Sequence, residues 1–448
     1  MKRLGPFKLR LSTVERFYDL HSWIGAVGGL VLFICAFSGT LALFERDLLA
    51  WERPAVRLAP GGAERMAVDP LLERARARLG NDKDLFVVLP SADGARLHAR
   101  SLDGGDVEEV FVDPYSGAVV DGESGHTAFE FLTHLHTDLH LPRPIGRYLV
   151  GLLGVVLMMS LISGAMAHPK VIKDLFLLRW RPSLRLTASD VHKQVGVWGL
   201  VFGMVIAFTG AVIGLLGLIA PLMVLSAFGG DVGEATEAFS GPRFDAVGRP
   251  AEMLPVGPLV AEVEEQRPGF KTTSLLFEHW GDEAAEVAII LDRSPYRQLT
   301  AGETHRVSLV DGTTLYASSF TERGLGARLF GAMQPLHYGR FAGLGLKLLY
   351  FVSGLVLSLG ILTGSMIWLE RRRSAARGKD RYFWLGRLHL GVSLGLVAAS
   401  ALAVAAGRFA PNVIEPAFWS AWLRRPARTP PRGRGKRRGA AGRARSTG

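Results

Sequence analysis

Four histidines stand at matching places beside apolar runs in a chain that repeats itself. Asp19-Leu20-His21 opens one run and Asp190-Val191-His192 opens another. Counted from each histidine, Gly25, Gly28, Ala36, Phe37, Ser38 and Gly39 recur 171 positions later as Gly196, Gly199, Ala207, Phe208, Thr209 and Gly210. Leu135-His136 leads into Arg147, Gly154, Ser163 and Gly164, and Leu336-His337 leads into Lys347, Gly354, Thr363 and Gly364. The unit reads as helix, soluble insert, helix, written twice. Imidazole is a nitrogen ligand for metals, and paired histidines in a glycine-rich apolar bundle are how a membrane protein holds b-type haem. Two copies of one topology are related by a pseudo-twofold along the membrane normal. That relation sets His21 against His192 near one face and His136 against His337 near the other. Glycines four and seven residues after His21 and His192 lie on or near the histidine face, and their missing side chains leave room for a flat macrocycle. Close packing of small residues would explain the glycines too, but not the histidines.

The elements that must hold these residues are membrane spans. Apolar residues make up 48% of 448 residues and mean hydropathy is +0.22. Five runs reach the roughly 20 apolar residues that a span requires: about 21–44, 145–167, 192–220, 341–368 and 385–407. The first has no small-residue cleavage site before Glu45-Arg46 and reads as a retained span. A span such as 21–44 is about 35 Å long at 1.5 Å per residue, so histidines at opposite ends lie far apart. The fold class is therefore a membrane α-helical bundle, a duplicated helix–insert–helix unit with four core spans and at least one more toward the C-terminus.

Charge orients the chain. The N-terminal segment 1–20, the loop 168–191 (Lys170, Lys173, Arg179, Arg181, Arg185) and the loop 369–383 (Arg371, Arg372, Arg373) are basic, which places them in the cytoplasm. The inserts 45–142 and 221–336 are acidic, 18 acids to 10 bases and 16 to 9, and fall on the other side. The net charge of +11 thus belongs to cytoplasmic loops and the tail 424–448, and is no nucleic-acid signal. The tail has ten bases and no acids and reads as disordered. An odd fifth span would leave it outside unless 409–423 re-enters or crosses. The single cysteine, Cys35, forms no internal disulfide and excludes a Cys-x-x-Cys-His attachment, so haem here is held non-covalently.

Each insert reads as a small α+β unit. In the first, Val68–Leu79 has helical spacing, while Leu85–Leu89, Glu109–Val112 and Val119–Val120 read as strands around the turn Asp113-Pro-Tyr-Ser-Gly117. In the second, Val256–Val263 reads as a helix, and Glu286–Leu291 and Arg306–Val310 as strands.

Other polar residues compete for roles. His168 has no symmetric partner, since its equivalent is Trp368; it is either an interfacial residue or a replacement for His21 or His192. His140 lies four residues after His136, and the two could share a metal on one helix face or exchange the ligand role; the Leu135-His136 match to Leu336-His337 favours His136. His389 reads as an anchor, and His98, His126, His279 and His305 as surface residues. Arg143, Arg147, Arg340 and Lys347 could pair with haem propionates or serve as plain interfacial anchors.

These pieces resemble the PepSY-associated transmembrane helix family, iron-regulated inner-membrane proteins that include ferric-siderophore reductases. The match rests on Leu20-His21-Ser-Trp-Ile-Gly25, Leu135-His136-Thr-Asp-Leu, Gly146-Arg147-Tyr-Leu-Val-Gly151, Ser163-Gly164-Ala-Met-Ala-His168-Pro-Lys170, Val191-His192-Lys-Gln-Val-Gly196 and Leu336-His337-Tyr-Gly339-Arg340. Glu109-Val-Phe-Val-Asp113-Pro-Tyr-Ser-Gly117 resembles the strand–turn signature of a PepSY domain. The likeness covers roughly 15–373 and fades in the basic tail. It implies two b haems and electron delivery to a periplasmic acceptor, ferric iron or a ferric siderophore. No dinucleotide fingerprint follows a strand, so the donor is external, a quinol or a cytoplasmic reductase. The alternatives are a membrane-anchored PepSY protein that binds a periplasmic partner without catalysis, or a transporter, which the near absence of Asp, Glu and Lys from span centres disfavours.

Overall fold

The apolar runs form a membrane helix bundle, and the acidic inserts form one shared β-sheet. A computed structural model of the chain describes residues 3–4, 9–53, 64–81, 83–90, 96–102, 108–121, 127–168, 184–242, 244–293, 299, 302–319, 324–375 and 380–423. Most of the cytoplasmic loop assigned to 168–191, the tail 424–448 and His126 lie outside them.

A short hairpin, β1 (Arg3–Leu4) and β2 (Leu9–Arg10), precedes α1 (Leu11–Ala42), and α2 (Glu45–Glu52) follows. The first insert holds α3 (Val68–Leu79), β3 (Leu85–Val88), β4 (Leu97–Ser101), β5 (Glu109–Val112) and β6 (Val119–Asp121). The short α4 (Ala128–Thr137) leads into α5 (Arg143–Ala167). Next come α6 (Leu184–Trp198), α7 (Leu200–Gly214), α8 (Leu216–Ala227) and α9 (Val232–Ser240). The second insert holds α10 (Val256–Gln266), β7 (Phe270–Glu278), β8 (Glu286–Arg293), β9 (Glu303–Ser308) and β10 (Thr314–Ser318). Finally α11 (Leu325–Gly331) and α12 (Met333–Tyr338) precede α13 (Gly343–Ala375), α14 (Asp380–Phe409) and α15 (Ile414–Leu423).

Among the described residues, α1, α5, α13 and α14 are long and apolar enough to cross a membrane. The third apolar run is instead bent by 65° between α6 and α7, at Gly199, where the lack of a side chain lets the ladder break. Gly28, its counterpart, leaves α1 unbroken. Six hydroxyls inside the bundle are satisfied locally. Ser38, Thr40, Ser163, Thr209, Ser358 and Thr363 each donate to a carbonyl four residues back, so they need no partner from lipid. Glycines set a close crossing of α5 and α7: a Cβ on Gly214 would lie 2.7 Å from the Gly151 Cα, and one on Gly154 2.9 Å from the Ala207 carbonyl oxygen. In α8 no residue is buried, and Leu218, Leu222 and Leu225 present an apolar surface suited to lipid.

After α14 the chain turns back. α15 folds back along α14, where the Trp422 indole donates to the Val392 carbonyl at 3.0 Å and Phe418 packs on Phe131. His389 is buried on α14 with Nδ1 bonded to its own helix at Leu385, so it is a packed residue and not an interfacial anchor.

The two inserts join. One antiparallel sheet has the order β10-β9-β8-β7-β3-β4-β5-β6, and the pairing of β3 with β7 (Phe86↔Leu276, Val87↔Leu275, Val88↔Ser274) fuses the halves. α3 and α10 cover one face over a core of Leu71, Leu85, Val87, Leu259, Leu275, Phe277 and Ile289. Two contacts cross the joint. Asp69 of α3 accepts from the first amides of α10, Val256 at 2.6 Å and Gly257 at 3.0 Å, as an N-terminal acid does. Arg76 of α3 lies over the rings of Trp280 (3.4 Å) and Phe277 (4.9 Å) from the second insert.

Candidate functional site

Each of the four histidines is held by a carbonyl or hydroxyl of a neighbouring helix. His21 Nδ1 donates to the Ser160 carbonyl of α5 at 2.9 Å, and His192 Nδ1 to the Gly360 carbonyl of α13 at 2.8 Å. His136 Nδ1 donates to the Cys35 carbonyl of α1 at 2.8 Å. His337 Nδ1 donates to Thr209 Oγ1 of α7 at 3.0 Å, with the Ile206 carbonyl as a further acceptor. The Thr209 hydroxyl hydrogen is already committed to Val205, so its oxygen accepts. A carbonyl only accepts, so each Nδ1 carries the proton and each Nε2 keeps a lone pair. No hydrogen bond reaches any of these four Nε2 atoms among the described residues.

The rings face each other in pairs. Centroids of His21 and His192 are 5.9 Å apart with planes at 47°, and those of His136 and His337 are 6.0 Å apart at 19°. A metal held axially by two imidazoles, with bonds of about 2 Å, separates ring centres by roughly 6 Å. Glycines back all four rings. A Cβ on Gly164 would come 3.0 Å from His21, on Gly364 2.7 Å from His192, on Gly39 2.6 Å from His136 and on Gly210 2.9 Å from His337. These glycines make room for the ligand itself. Besides Gly164 and Gly364, the glycines facing the space beside the first pair are Gly25, Gly29, Gly196, Gly199 and Gly360, whereas Gly28 packs on Val156. That space is a cavity of about 580 Å³, lined mostly by leucine, isoleucine, valine and glycine.

The second pair lies deeper than its place in the sequence suggests. His136 is anchored at Cys35, 14 residues along α1 from His21, which is about 21 Å of helix and not the full span. α4 is fixed for this task. Thr127 and Glu130 form a capping box at its start. The buried Glu52 of α2 accepts from the Ala128 and Phe129 amides at 2.6 and 3.2 Å, and Glu45 accepts from Thr133 at 2.6 Å. α12 ends at Gly339, whose φ of 63° forms a left-handed cap.

The remaining candidates separate from these pairs. His140 is not on a helix face with His136: α4 ends before Asp138, and Leu139 and His140 both have φ of 55°. Its ring instead packs on Phe131 at 4.2 Å, with Trp419 nearby at 6.0 Å. His168 lines the first cavity at the C-terminal end of α5. Arg147 and Arg340 are exposed, the latter over the Tyr338 ring, and neither makes an ion pair among the described residues. Lys347 pairs with Asp47 at 2.6 Å and Arg143 is exposed.

In the sheet, His305 is buried (5% exposed), not a surface residue, because β9 points Glu303, His305 and Val307 alike to the covered face. His98 is half-buried, bonds Glu109 at 2.9 Å and stacks on Phe111; this bond holds the Glu109 carboxyl below its usual range. On the other face Arg306 is shared by Glu278 and Glu286, and burial raises the Glu286 carboxyl.

The backbone acceptors were beyond sequence reasoning, because a carbonyl carries no residue signature. The glycines behind the rings were visible as repeats, but their purpose was not. A family model described as the PepSY-associated TM region matches residues 18–371, which include all four histidines and both inserts. An uncharacterized protein of Pseudomonas aeruginosa is 35% identical over 302 residues, 65% of this chain and 75% of that protein.

Proposed function

The chain belongs to the family of the PepSY-associated TM region, and from that premise we propose that it is a di-haem b oxidoreductase of the bacterial inner membrane, built from a duplicated helix–insert–helix unit. It passes electrons to a periplasmic acceptor, ferric iron or a ferric siderophore. One observation carries this reading: two facing imidazole pairs, each ring tied through Nδ1 and each Nε2 lone pair without a hydrogen bond among the described residues. Such outer bonds fix tautomer and ring orientation and raise ligand basicity at metal-binding histidines.

His21 and His192 hold one haem, and His136 and His337 hold the other. Bound there, haem would supply one-electron transfer. The chain's residues do the rest. The Nδ1 anchors resist ring rotation, the glycines admit the rings between helices, and the apolar lining of the first cavity keeps water from it. The positive-inside rule puts the inserts in the periplasm, where their acidic surface draws cationic or metal-bearing acceptors. Ferric siderophores suit such a donor, because their hard oxygen ligands hold ferrous iron less well. The electron donor is external, a quinol or a cytoplasmic reductase. A binding protein without redox chemistry would have no use for four imidazoles presented in this way.

Absorption of the pure protein tests the reading. A pyridine haemochrome assay should find about two non-covalent haems per chain, and the dithionite-reduced protein should reoxidise on adding a ferric siderophore, with ferrous iron trapped by a chelator. A colourless, folded preparation refutes the haem assignment. Inert siderophores with intact haem refute the acceptor alone. A cysteine placed in either insert should label in intact spheroplasts; labelling only after lysis refutes the orientation.

A further inference from the structure

The cavity at the first imidazole pair differs sharply between its two ends. From His21 it runs inward along α1 past Gly25 and Gly29 to Leu32, eleven residues or about 16 Å of helix. The other helices close that end with Leu157, Leu200 and Leu357. Every ionisable side chain on the cavity wall lies level with the imidazoles or outward of them. Lys193 adjoins His192, and Arg371 stands seven residues beyond Gly364, the glycine behind that ring. The Arg371 guanidinium lies over the ring of Tyr18, 5.6 Å from its centre. Neither cation makes an ion pair among the described residues.

A slot that is apolar at one end and cationic at the other selects a flat amphiphile in one orientation. Its apolar body goes inward and its acids stay at the rim, because a carboxylate taken inward would be buried without a partner. Resting on the haem reading above, we propose that Arg371 and Lys193 bind the two propionate carboxylates of the haem at this site and so set which way round it sits. Arginine serves by presenting paired N–H donors to a carboxylate, and lysine by its compact charge. Arg143, Arg147, Arg340 and Lys347, which the sequence offered as propionate partners or interfacial anchors, do not line this cavity.

Apoprotein reconstituted with haem b or with its dimethyl ester tests the assignment. Loss of each to excess apomyoglobin is then followed in the full chain. Wild-type protein should retain both haems through the chase. In the Arg371→Gln/Lys193→Gln variant, one of the two should leave at least tenfold faster. With the ester, wild type and variant should lose it at the same rate, because no carboxylate remains to be held. Arg371→Lys should restore part of the retention. Equal rates for haem b in wild type and variant overturn the proposal, as does the same acceleration with the ester. Wild-type protein that binds no haem at all refutes the proposed function instead.

Discussion

His21 sits on the long apolar helix α1 and His192 on the 15-residue α6 that leads into the apolar α7, whereas His136 and His337 sit on helices of ten and six residues at the ends of the inserts. All four use the same device, an Nδ1 anchor on a neighbouring helix and a glycine behind the ring. The support differs. The first pair is built by the bundle itself, beside an open cavity. The second is lowered into the bundle by short helices, and α4 depends on α2 for its position. The same imidazole arrangement therefore rests on two kinds of scaffold, and the second pair should be the more easily disturbed by changes in the inserts.

Ligand deletion tests the shared part of this comparison and should have the largest effect. His21→Ala or His192→Ala should remove one haem, and His136→Ala or His337→Ala the other, taking the haemochrome content from about two to about one per chain. His168→Ala should remove neither; if it empties a site that His21→Ala leaves filled, the pairing is wrong. Next in size are the glycines. Gly39→Val and Gly364→Val would drive a side chain into an imidazole, the Cβ alone coming within 2.6 and 2.7 Å, and each should empty only its own site. Gly25→Ala meets nothing within 4 Å, so haem content should be unchanged there. Equal loss in all three variants would mean that general packing, not ring placement, makes these glycines necessary.

The unequal support is tested at Glu52. Glu52→Ala leaves the buried Ala128 and Phe129 amides short of an acceptor, a loss of about 1–3 kcal/mol. It should loosen haem at the His136–His337 site, seen as faster transfer to apomyoglobin, and leave the first site alone. An equal effect on both sites would erase the distinction drawn here. The smallest effect belongs to the sheet. Burial raises Glu286 to about 7, so its contribution to stability is present below the ordinary glutamate range and is lost as pH rises through the folded value. The thermal midpoint of the wild type should fall between pH 5.5 and 8.5 by more than that of Glu286→Gln. Parallel curves would show that Glu286 ionises freely.

Much of this was legible in the residues. Val68–Leu79 and Glu109–Val112 form the elements their patterns announce, and the histidine pairs meet as the repeats require. The strands that were missed explain what was not legible. Phe270–Glu278 carries a bulge between Thr272 and Ser274 that shifts its alternation, and it is the strand that joins the inserts. Leu97–Ser101 buries only Leu97, Ala99 and Ser101, too little apolar bulk to announce a strand. The bend at Gly199 escaped as well, because the equivalent Gly28 stays helical and only packing separates them.

The pairing of β3 with β7 has a consequence for biosynthesis. Phe86 meets Leu276, a residue made 190 positions later, after α4 to α10. At about 5–20 residues per second, the first insert waits on the order of 10–40 s for its partner strand. During that interval the β3 edge is open, a template for wrong pairing, and Asp69 and Arg76 lack their contacts across the joint. Protection of that half-made sheet, by slow folding or by a partner that covers the edge, should therefore limit the yield of this protein.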